Sequence, residues 1–323
     1  MAANPQLPLD PESGMETYHE YHAEAHVLSG NLKHPIEQPI QHQARVILEN
    51  TRLDGHIAQS VKETTMEGLI SFKAGHSRAS GSKIAKKDLW GNDHSGWVTL
   101  STSVLEGLNV FEIITADRVV AQVSTEHAME NGHVPKVTFL GTRFENLRVG
   151  GYPVQVELDL GICGDKPEGD QPYLADSRFL DRVQRQLDSI ASAKGLPEAM
   201  EQEYDSKIAY IDDLKKRASR WEANGHSKLQ CSLVKSIGPI PIPGVKTFGN
   251  VIFIPDFGTV ALAEVLVGLG SYNGSSEKSK GGSFHEPSNS NYFTLNMLNM
   301  RLGCVGGGEV IAGNAMANGH TAP

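Results

Sequence analysis

The feature that most constrains this chain is an alternation of mostly apolar with more polar residues over short stretches. Residues 119–126 alternate in this way, and residues 154–160 do the same. Residues two apart lie on one face of a β-strand, so each stretch has one apolar and one more polar face. This pattern is typical of antiparallel sheets with one face in solvent. We therefore predict a mainly β protein, folded as an antiparallel sandwich or a barrel-like sheet.

A pair of glycines precedes the second stretch. Gly150 and Gly151 permit the positive φ angles of a tight hairpin turn. Pro153 has no backbone N–H to donate, so the strand after the turn should begin at a sheet edge. Further strands are predicted at residues 22–28, 40–49 and 69–74.

The period changes to that of a helix over residues 176–224. Asp176 is a suitable N-cap for a first helix, and Gly195 is a suitable stop. A second helix begins near Pro197 and ends at Asn224. The apolar faces are formed by Phe179, Val183, Leu187 and Ile190, and by Met200, Tyr204, Ile208, Ile211, Leu214 and Trp221.

We predict a single β-rich domain over residues 18–323, with the helical hairpin as an insertion at residues 176–224. The strand pattern resumes after the hairpin, so strands from both sides of it should complete one sheet system. Residues 1–17 are rich in proline and polar residues and should form a flexible arm. Surface loops are predicted at residues 75–95 and 271–290, which are polar and contain many glycines and serines.

Charge and cysteine content disfavour several classes of protein. The chain has 29 basic and 38 acidic residues, a net charge of −9, which disfavours binding to nucleic acid because that binding depends on clustered cations. Cys163, Cys231 and Cys304 are odd in number and far apart in sequence. The sequence therefore predicts neither a disulfide framework nor a Cys-x-x-Cys metal site.

Targeting signals are not visible in the sequence. The first residues lack the basic and apolar regions of a secretory signal. No stretch approaches the ~18 apolar residues of a transmembrane segment. A cytoplasmic location is the default expectation, and a secreted or surface location stays open.

Histidines and carboxylates near the start of the domain form a candidate metal site. On a strand, His22, Glu24 and His26 share one face, whereas on a helix His19 would join the two histidines. Imidazole and carboxylate ligands suit a divalent metal such as zinc. The alternative is a polar edge strand or a partner contact, and the sequence has no HExxH motif to support a metal.

A second set of residues has the chemistry of a general acid or base. His94 and His127 each follow a carboxylate, and Asp117 lies between them in sequence. Imidazole has a pKa of about 6.5 and exchanges protons near neutral pH. Adjacent residues of a strand point to opposite faces, so catalysis would require these groups to meet through the fold.

Aromatic residues flank the two predicted loops. Trp90, Trp97 and Tyr292 are candidates for stacking on a carbohydrate or another small molecule. Packing in the core is the alternative, because aromatic side chains bury large areas.

Three segments resemble the bacterial proteins grouped as the choice-of-anchor P family. They are GLNVFEIITADRVVAQVSTEH (107–127), TFLGTRFENLRVGGYPVQV (138–156) and TLNMLNMRLGCVGGGEVIAGNA (294–315). The resemblance implies a secreted, β-rich protein with an exchangeable surface anchor and no assigned catalytic residues. This chain differs from that pattern in its helical insertion and in having no visible signal or anchor.

The sequence contains no motif that is specific for catalysis. A G-x-S-x-G elbow, a P-loop and a G-x-G-x-x-G fingerprint are all absent. We predict a non-enzymatic β-rich binding or self-assembling structural protein that forms homo-oligomers, with strand addition at a sheet edge as one route. The alternative is a metal-dependent enzyme or a small-molecule-binding barrel that uses the histidine and carboxylate cluster.

Overall fold

The structure of the protein is a computed structural model. It describes residues 18–34, 37–85, 95–129, 134–169, 171–217, 227–269, 291–303 and 307–322. The predicted arm at residues 1–17 and the predicted loop at residues 271–290 lie outside these ranges.

The described residues form two large sheets, a separate strand pair and a helical hairpin. The strands are β1 (Tyr18–Leu32), β2 (Gln38–Gln43), β3 (Val46–Thr51), β4 (Gly55–Met66), β5 (Ile70–Ile84), β6 (Gly96–Val110), β7 (Ile114–Ala128), β8 (Lys136–Thr138), β9 (Arg143–Glu145), β10 (Arg148–Val149), β11 (Tyr152–Pro153), β12 (Val156–Leu158), β13 (Lys228–Ser232), β14 (Val234–Ile237), β15 (Lys246–Phe248), β16 (Val251–Ile254), β17 (Gly258–Leu269), β18 (Asn291–Leu302) and β19 (Gly308–Ala322). The helices are α1 (Ser177–Ala191) and α2 (Glu198–Arg217).

Both large sheets are antiparallel. Sheet A has the strand order β15-β16-β17-β18-β19-β1-β2, with β13 beside β17 and β3 beside β1. Sheet B has the order β11-β10-β7-β6-β5-β4, with β8 and β9 beside β7. Strands from before and after the helices therefore belong to the same sheet A.

The two sheets pack face to face. β1 lies against β5 and β6, and β19 lies against β6 and β7. Within the described residues each sheet is open and ends in edge strands. Of the two predicted architectures, sandwich and barrel-like sheet, the structure is therefore the sandwich. The prediction of a mainly β fold with an inserted helical hairpin is confirmed.

In both sheets the regular pairing of residues between neighbouring strands is interrupted. The interruptions lie at the same level in successive strands, so the unpaired residues form a row across the sheet. In sheet A the skipped residues are Val27 of β1, Gly313 of β19, Met297 of β18 and Ala263 of β17. In sheet B they are Glu63 of β4, Lys73 of β5, Gly107 of β6 and Asp117 of β7. Between β5 and β6 the pairing also skips Phe72 and Leu108. We call these rows the sheet A crease and the sheet B crease. A skipped residue shifts the alternation of faces, and because neighbouring strands skip together, their faces stay matched.

Positive φ angles mark both creases. The φ angles of Gly107, Gly313 and Ala263 are 63°, 69° and 46°. A Cβ atom at Gly313 would lie 3.1 Å from Cγ1 of Val119 in sheet B. The sheet A crease is therefore in direct contact with the facing sheet.

Small and hydroxyl side chains let the two sheets approach closely on one side of the creases. Ala25 of β1 is fully buried there. Ser101 Oγ donates a hydrogen bond to the backbone carbonyl of Glu24 at 2.6 Å, and Ser103 Oγ donates to that of His26 at 2.9 Å. A side chain of one sheet reaches the backbone of the other only where the sheets are close.

The helical hairpin forms where the sequence predicts it. Asp176 Oδ1 accepts a hydrogen bond from the backbone N–H of Arg178 at 3.2 Å and caps α1. Gln186 of α1 exchanges two hydrogen bonds of 2.9 Å with the backbone of Ser232, which fixes the hairpin to β13. The predicted apolar residues are buried or partly buried, apart from Trp221, which lies outside the described residues. Neither helix of the described residues is long and apolar enough to cross a membrane.

The structure corrects the predicted loop at residues 75–95. β5 continues to Ile84, and residues 86–94 lie outside the described residues. The inward side of this part of β5 consists of Gly75, Ser77, Ala79 and Gly81, which are buried. Because these residues are small rather than large and apolar, the sequence shows no hydrophobic alternation here.

Other strand predictions are confirmed or refined. Ala44 has a φ angle of 48° and divides the predicted strand at residues 40–49 into β2 and β3. Gly150 and Gly151 turn the hairpin between β10 and β11 as predicted, with Pro153 at the edge of sheet B. β12 pairs with β14 instead of joining either large sheet.

Candidate functional site: an exposed sheet edge

One edge of sheet B is a long strand that nothing in the described structure pairs with on its outer side. β4 spans Gly55–Met66 and pairs with β5 alone among the described strands. Val61, Thr64 and Met66 are half-buried, and the other residues of β4 are exposed. The backbone N–H and C=O groups on the open side of such a strand are available to pair with another strand.

The other edge strands of the described sheets are shorter. β11, at the far end of sheet B, has two residues, and β15, at one end of sheet A, has three. β13 has five residues, and β2 and β3 have six each. A short edge strand offers few hydrogen-bonding groups, so β4, with twelve residues, is the main open edge of the described fold.

β4 has the residues of a strand, and its inward face is only partly buried. Ile57, Val61 and Thr64 favour the extended backbone. Polar Gln59 and Thr64 lie among the apolar residues of the inward face, so the alternation that identifies other strands is weak and no strand is predicted here. Lys62 and Glu63 are charges of the kind that edge strands carry against unselective pairing with other chains.

The sheet B crease crosses β4 at Glu63. Lys62 pairs with Ala74, and Thr64 pairs with Phe72, so Glu63 lies opposite Lys73. Phe72 faces the core, whereas Lys73 is exposed on the outer face. Residues opposite each other on neighbouring strands share a face, so Lys62 and Glu63 both point outward. In a regular strand these two adjacent side chains would point to opposite faces.

A shallow concavity lies on the outer face along the same crease. It has a volume of about 250 Å³ and is lined by Lys73, Glu106, Gly107, Asp117, Arg118 and Glu145. Arg118 Nη2 donates a hydrogen bond to Glu106 Oε1 at 2.5 Å, and this bond raises the pKa of Arg118. Asn146 Nδ2 donates to Asp117 Oδ2 at 2.6 Å. The crease therefore continues from the edge at Glu63 as a row of acidic and basic side chains.

The histidine face of β1 is the outer face of sheet A beside β3 and the end of β2. As strand geometry predicts, His22, Glu24 and His26 are on one face, away from sheet B. Glu24 Oε1 accepts a hydrogen bond from Arg45 Nε at 2.8 Å. The rings of His26 and His42 stack with centroids 4.4 Å apart. His26 Nε2 lies 2.9 Å from the hydroxyl oxygen of Ser29.

The pKa values of these histidines are lowered. Desolvation by burial is the main cause that lowers the pKa of His26 to about 3, and His42 and Arg45 act in the same direction. Desolvation and Arg45 lower the pKa of His42, and desolvation lowers that of His22 against the opposing effect of nearby carboxylates. These imidazoles are neutral at neutral pH, so this face offers no histidine cation to an anionic ligand.

The described residues show no metal-binding group at the predicted ligands. Among the residues that the structure describes, no group of three His, Cys, Asp or Glu side chains is arranged to hold a metal ion. His22, Glu24 and His26 share a face, but Glu24 is buried and paired with Arg45. Its charge is already balanced by a protein group.

Sequence reasoning missed a row of polar residues that crosses the same face of sheet A. His26, Asn314, Asn296 and Glu264 are cross-strand neighbours on β1, β19, β18 and β17. Asn314 Nδ2 donates to Asn296 Oδ1 at 2.7 Å. Burial raises the pKa of Glu264, which accepts hydrogen bonds from two amide side chains. The row could have been predicted from the asparagines, because they interrupt strands that are otherwise apolar.

The predicted acid and base residues are not brought together. Asp117 lies at the outer concavity, whereas His127 is fully buried with its ring centroid 4.6 Å from that of His19. His127 is ten positions after Asp117 in β7, which is roughly 30 Å along a strand. His94 lies outside the described residues.

The predicted ligand-stacking aromatics serve in packing where the structure describes them. Trp97 is 5% exposed and stacks on His19 with centroids 5.2 Å apart. Tyr292 is 1% exposed. Neither ring presents a face to solvent, and Trp90 lies outside the described residues.

These features define a class of protein: an open antiparallel β sandwich with an inserted helical hairpin and one long edge strand. The chain matches the family described as "Domain of unknown function (DUF8256)" over residues 19–268, and it belongs to that family. The matched region begins in β1, ends in β17, and includes β4, both helices and the whole sheet B crease. No curated protein and no solved structure matches the chain.

Proposed function

We propose that this protein is a non-enzymatic binding and assembly protein that associates by strand addition at β4. The single observation that carries the proposal is the open edge of twelve residues at β4, which is longer than the other edge strands of the described sheets. A second extended strand placed along β4 would satisfy the backbone groups that now face solvent.

The side chains of β4 fit this role. An edge rich in large apolar residues would aggregate without selectivity, whereas β4 carries one lysine, one glutamate and several small polar residues. Strand addition obtains affinity from main-chain hydrogen bonds and selectivity from alternate side chains. The resemblance to choice-of-anchor P proteins, which are β-rich and have no assigned catalytic residues, supports the same class.

The alternative of a metal-dependent enzyme has less support. Glu24 is held by Arg45, and Asp117 is far along β7 from the buried His127. No described arrangement of these side chains places an acid, a base and a pocket together.

The test uses a synthetic peptide with the sequence of residues 55–66 as the probe. We expect the fluorescently labelled peptide to bind the intact protein saturably, measured by fluorescence anisotropy. The bound peptide should also slow the amide hydrogen exchange of β4 in the protein.

The matched control is the same peptide with Ser60→Pro and Val61→Pro. Adjacent residues direct their N–H groups to opposite sides of a strand, so one of the two prolines removes a donor on the pairing side. The control peptide should not bind. Absence of binding by the native peptide, or equal binding by both peptides, contradicts strand addition at β4.

A further inference from the structure

The faces of the β4 residues restrict how two copies of this strand can pair. Their register with β5 places Gln59, Val61, Thr64 and Met66 on the inward face, because their partners on β5 are buried. Ser60, Lys62, Glu63 and Thr65 are on the outward face. Ser60 Oγ, for example, lies 2.9 Å from Nδ1 of the exposed His76. Two outward residues in succession, Lys62 and Glu63, interrupt the alternation.

Antiparallel pairing of two copies about a two-fold axis requires opposite residues to share a face. A register that places Lys62 opposite Glu63 of the second copy meets this condition throughout residues 59–66. It also places Val61 opposite Thr64, Ser60 opposite Thr65 and Gln59 opposite Met66. Of the antiparallel registers of β4 with itself, this one gives the longest run of opposite residues that share a face. The break in alternation at Lys62 and Glu63 of one copy lies opposite the same break in the other copy.

Charge favours the same register. Neither Lys62 nor Glu63 makes an ion pair within the described part of the chain. In the paired state, Lys62 of each copy lies opposite Glu63 of the other copy. The two-fold axis therefore produces this contact twice. Glu63 then lies between Lys73 of its own sheet and Lys62 of the second copy. Opposite charges directly across a strand pair stabilise it, whereas like charges oppose it.

We infer that the partner of β4 is β4 of a second copy of this chain, joined about a two-fold axis that passes between Lys62 and Glu63. The inference rests on the proposed function, since it identifies the occupant of the same edge. The sheet B crease then continues from one copy into the other, and the two B sheets form one extended sheet.

The test uses three variants of the full chain, Lys62→Glu, Glu63→Lys and the double exchange of both residues. Each single variant places like charges opposite each other twice, so self-association should weaken about tenfold or more. An equimolar mixture of the two single variants places opposite charges at every position and should associate with near wild-type strength. The double exchange should also self-associate like the wild type. Association is measured by light scattering in line with size exclusion over a concentration series.

The matched control is Lys228→Glu, which changes the net charge as Lys62→Glu does but lies at an exposed position of β13 in sheet A. This variant should associate like the wild type. Recovery of association in the mixture also shows that both single variants are folded.

The outcomes separate the two proposals. If the single variants associate as the wild type does, or if their mixture does not recover, the register is wrong. If the register is wrong but the peptide of residues 55–66 still binds, strand addition at β4 is supported. The strand that pairs with β4 then uses another register or belongs to another partner. If neither the peptide binds nor the chain self-associates, the proposed function fails together with this inference.

Discussion

Gly313 of sheet A lies against Val119 of sheet B so closely that a Cβ atom on the glycine would be 3.1 Å from Val119 Cγ1. The same Cβ would lie 3.1 Å from the Cβ of Met297 on the neighbouring strand. Gly313 also has a φ angle of 69°, which residues with side chains rarely adopt. The sheet A crease therefore depends on glycine both for backbone conformation and for space.

Replacement of Gly313 by alanine should lower the free energy of unfolding by about 1–3 kcal/mol, because it adds backbone strain and overpacks the contact with Val119. The matched control is Gly68→Ala, since Gly68 has a φ angle of 68° but nothing within 4 Å of its Cβ position. In the control, the free energy of unfolding should fall only by the contribution of backbone strain. Urea unfolding followed by circular dichroism measures both, and equal losses would contradict the packing argument.

The close approach of the two sheets predicts a cost for removing a single hydroxyl group. Ser101→Ala deletes the hydrogen bond to the carbonyl of Glu24 and should lower the free energy of unfolding by about 1 kcal/mol. Ser60→Ala, at an exposed position of β4, should change it by much less. Chemical denaturation of the Ser101→Ala and Ser60→Ala variants tests this prediction. An unchanged free energy of unfolding in Ser101→Ala would show that the hydrogen bond contributes little to stability.

The polar row on sheet A predicts energetic coupling between two asparagines. Asn296 and Asn314 are cross-strand neighbours joined by a hydrogen bond of 2.7 Å. In a double-mutant cycle with alanine, the coupling energy should be about 0.5–1.5 kcal/mol in favour of the native pair. A coupling energy near zero would mean that the two amides stabilise the sheet independently.

The buried His26 predicts a specific dependence of stability on pH. Its pKa is about 3 in the folded protein, against about 6.5 when unfolded. Between these values the unfolded chain binds a proton and the folded chain does not, so stability falls as the pH falls from 6.5 towards 3. The slope from this group is at most about 1.4 kcal/mol per pH unit.

His26→Gln should remove that component and make the unfolding free energy less dependent on pH between 6.5 and 4. Stability measured by denaturation at several pH values tests this, with His34→Gln at an exposed position as the control. The titratable and charged neighbours of His26 are His42, Arg45 and Glu24, and they are unchanged in both variants. An identical slope in the wild type and the His26 variant contradicts a neutral, buried His26.

Local chemistry made several parts of the fold predictable from sequence. The alternation at residues 119–126 lies within β7, and Asp176 caps α1 as its position before the apolar repeat indicates. The glycine pair at residues 150–151 turns the predicted hairpin. In each of these cases the determining interactions lie within a few residues of each other in the chain.

Features that depend on distant strands were not predictable. The inward side of β5 is formed by small residues such as Ser77 and Ala79, which are required by the proximity of β1 and give no hydrophobic pattern. The creases depend on simultaneous skips in neighbouring strands, which no single segment reveals. β4 buries only part of one face, where Val61 and Met66 pack against the core and polar residues lie between them. Its twelve residues therefore give a weak periodic signal, and the candidate assembly edge was missed.

The central claim is that β4 is an assembly edge, and amide hydrogen exchange of β4 at increasing protein concentration tests it most directly. In a monomer, edge-facing amides of residues 59–66 are exposed to solvent and exchange fast. The account predicts that their exchange slows as the concentration rises, in parallel with the mass measured by light scattering, while amides of β6 stay protected throughout. Exchange of β4 that remains fast at concentrations where the protein is associated would contradict the account and place the interface elsewhere.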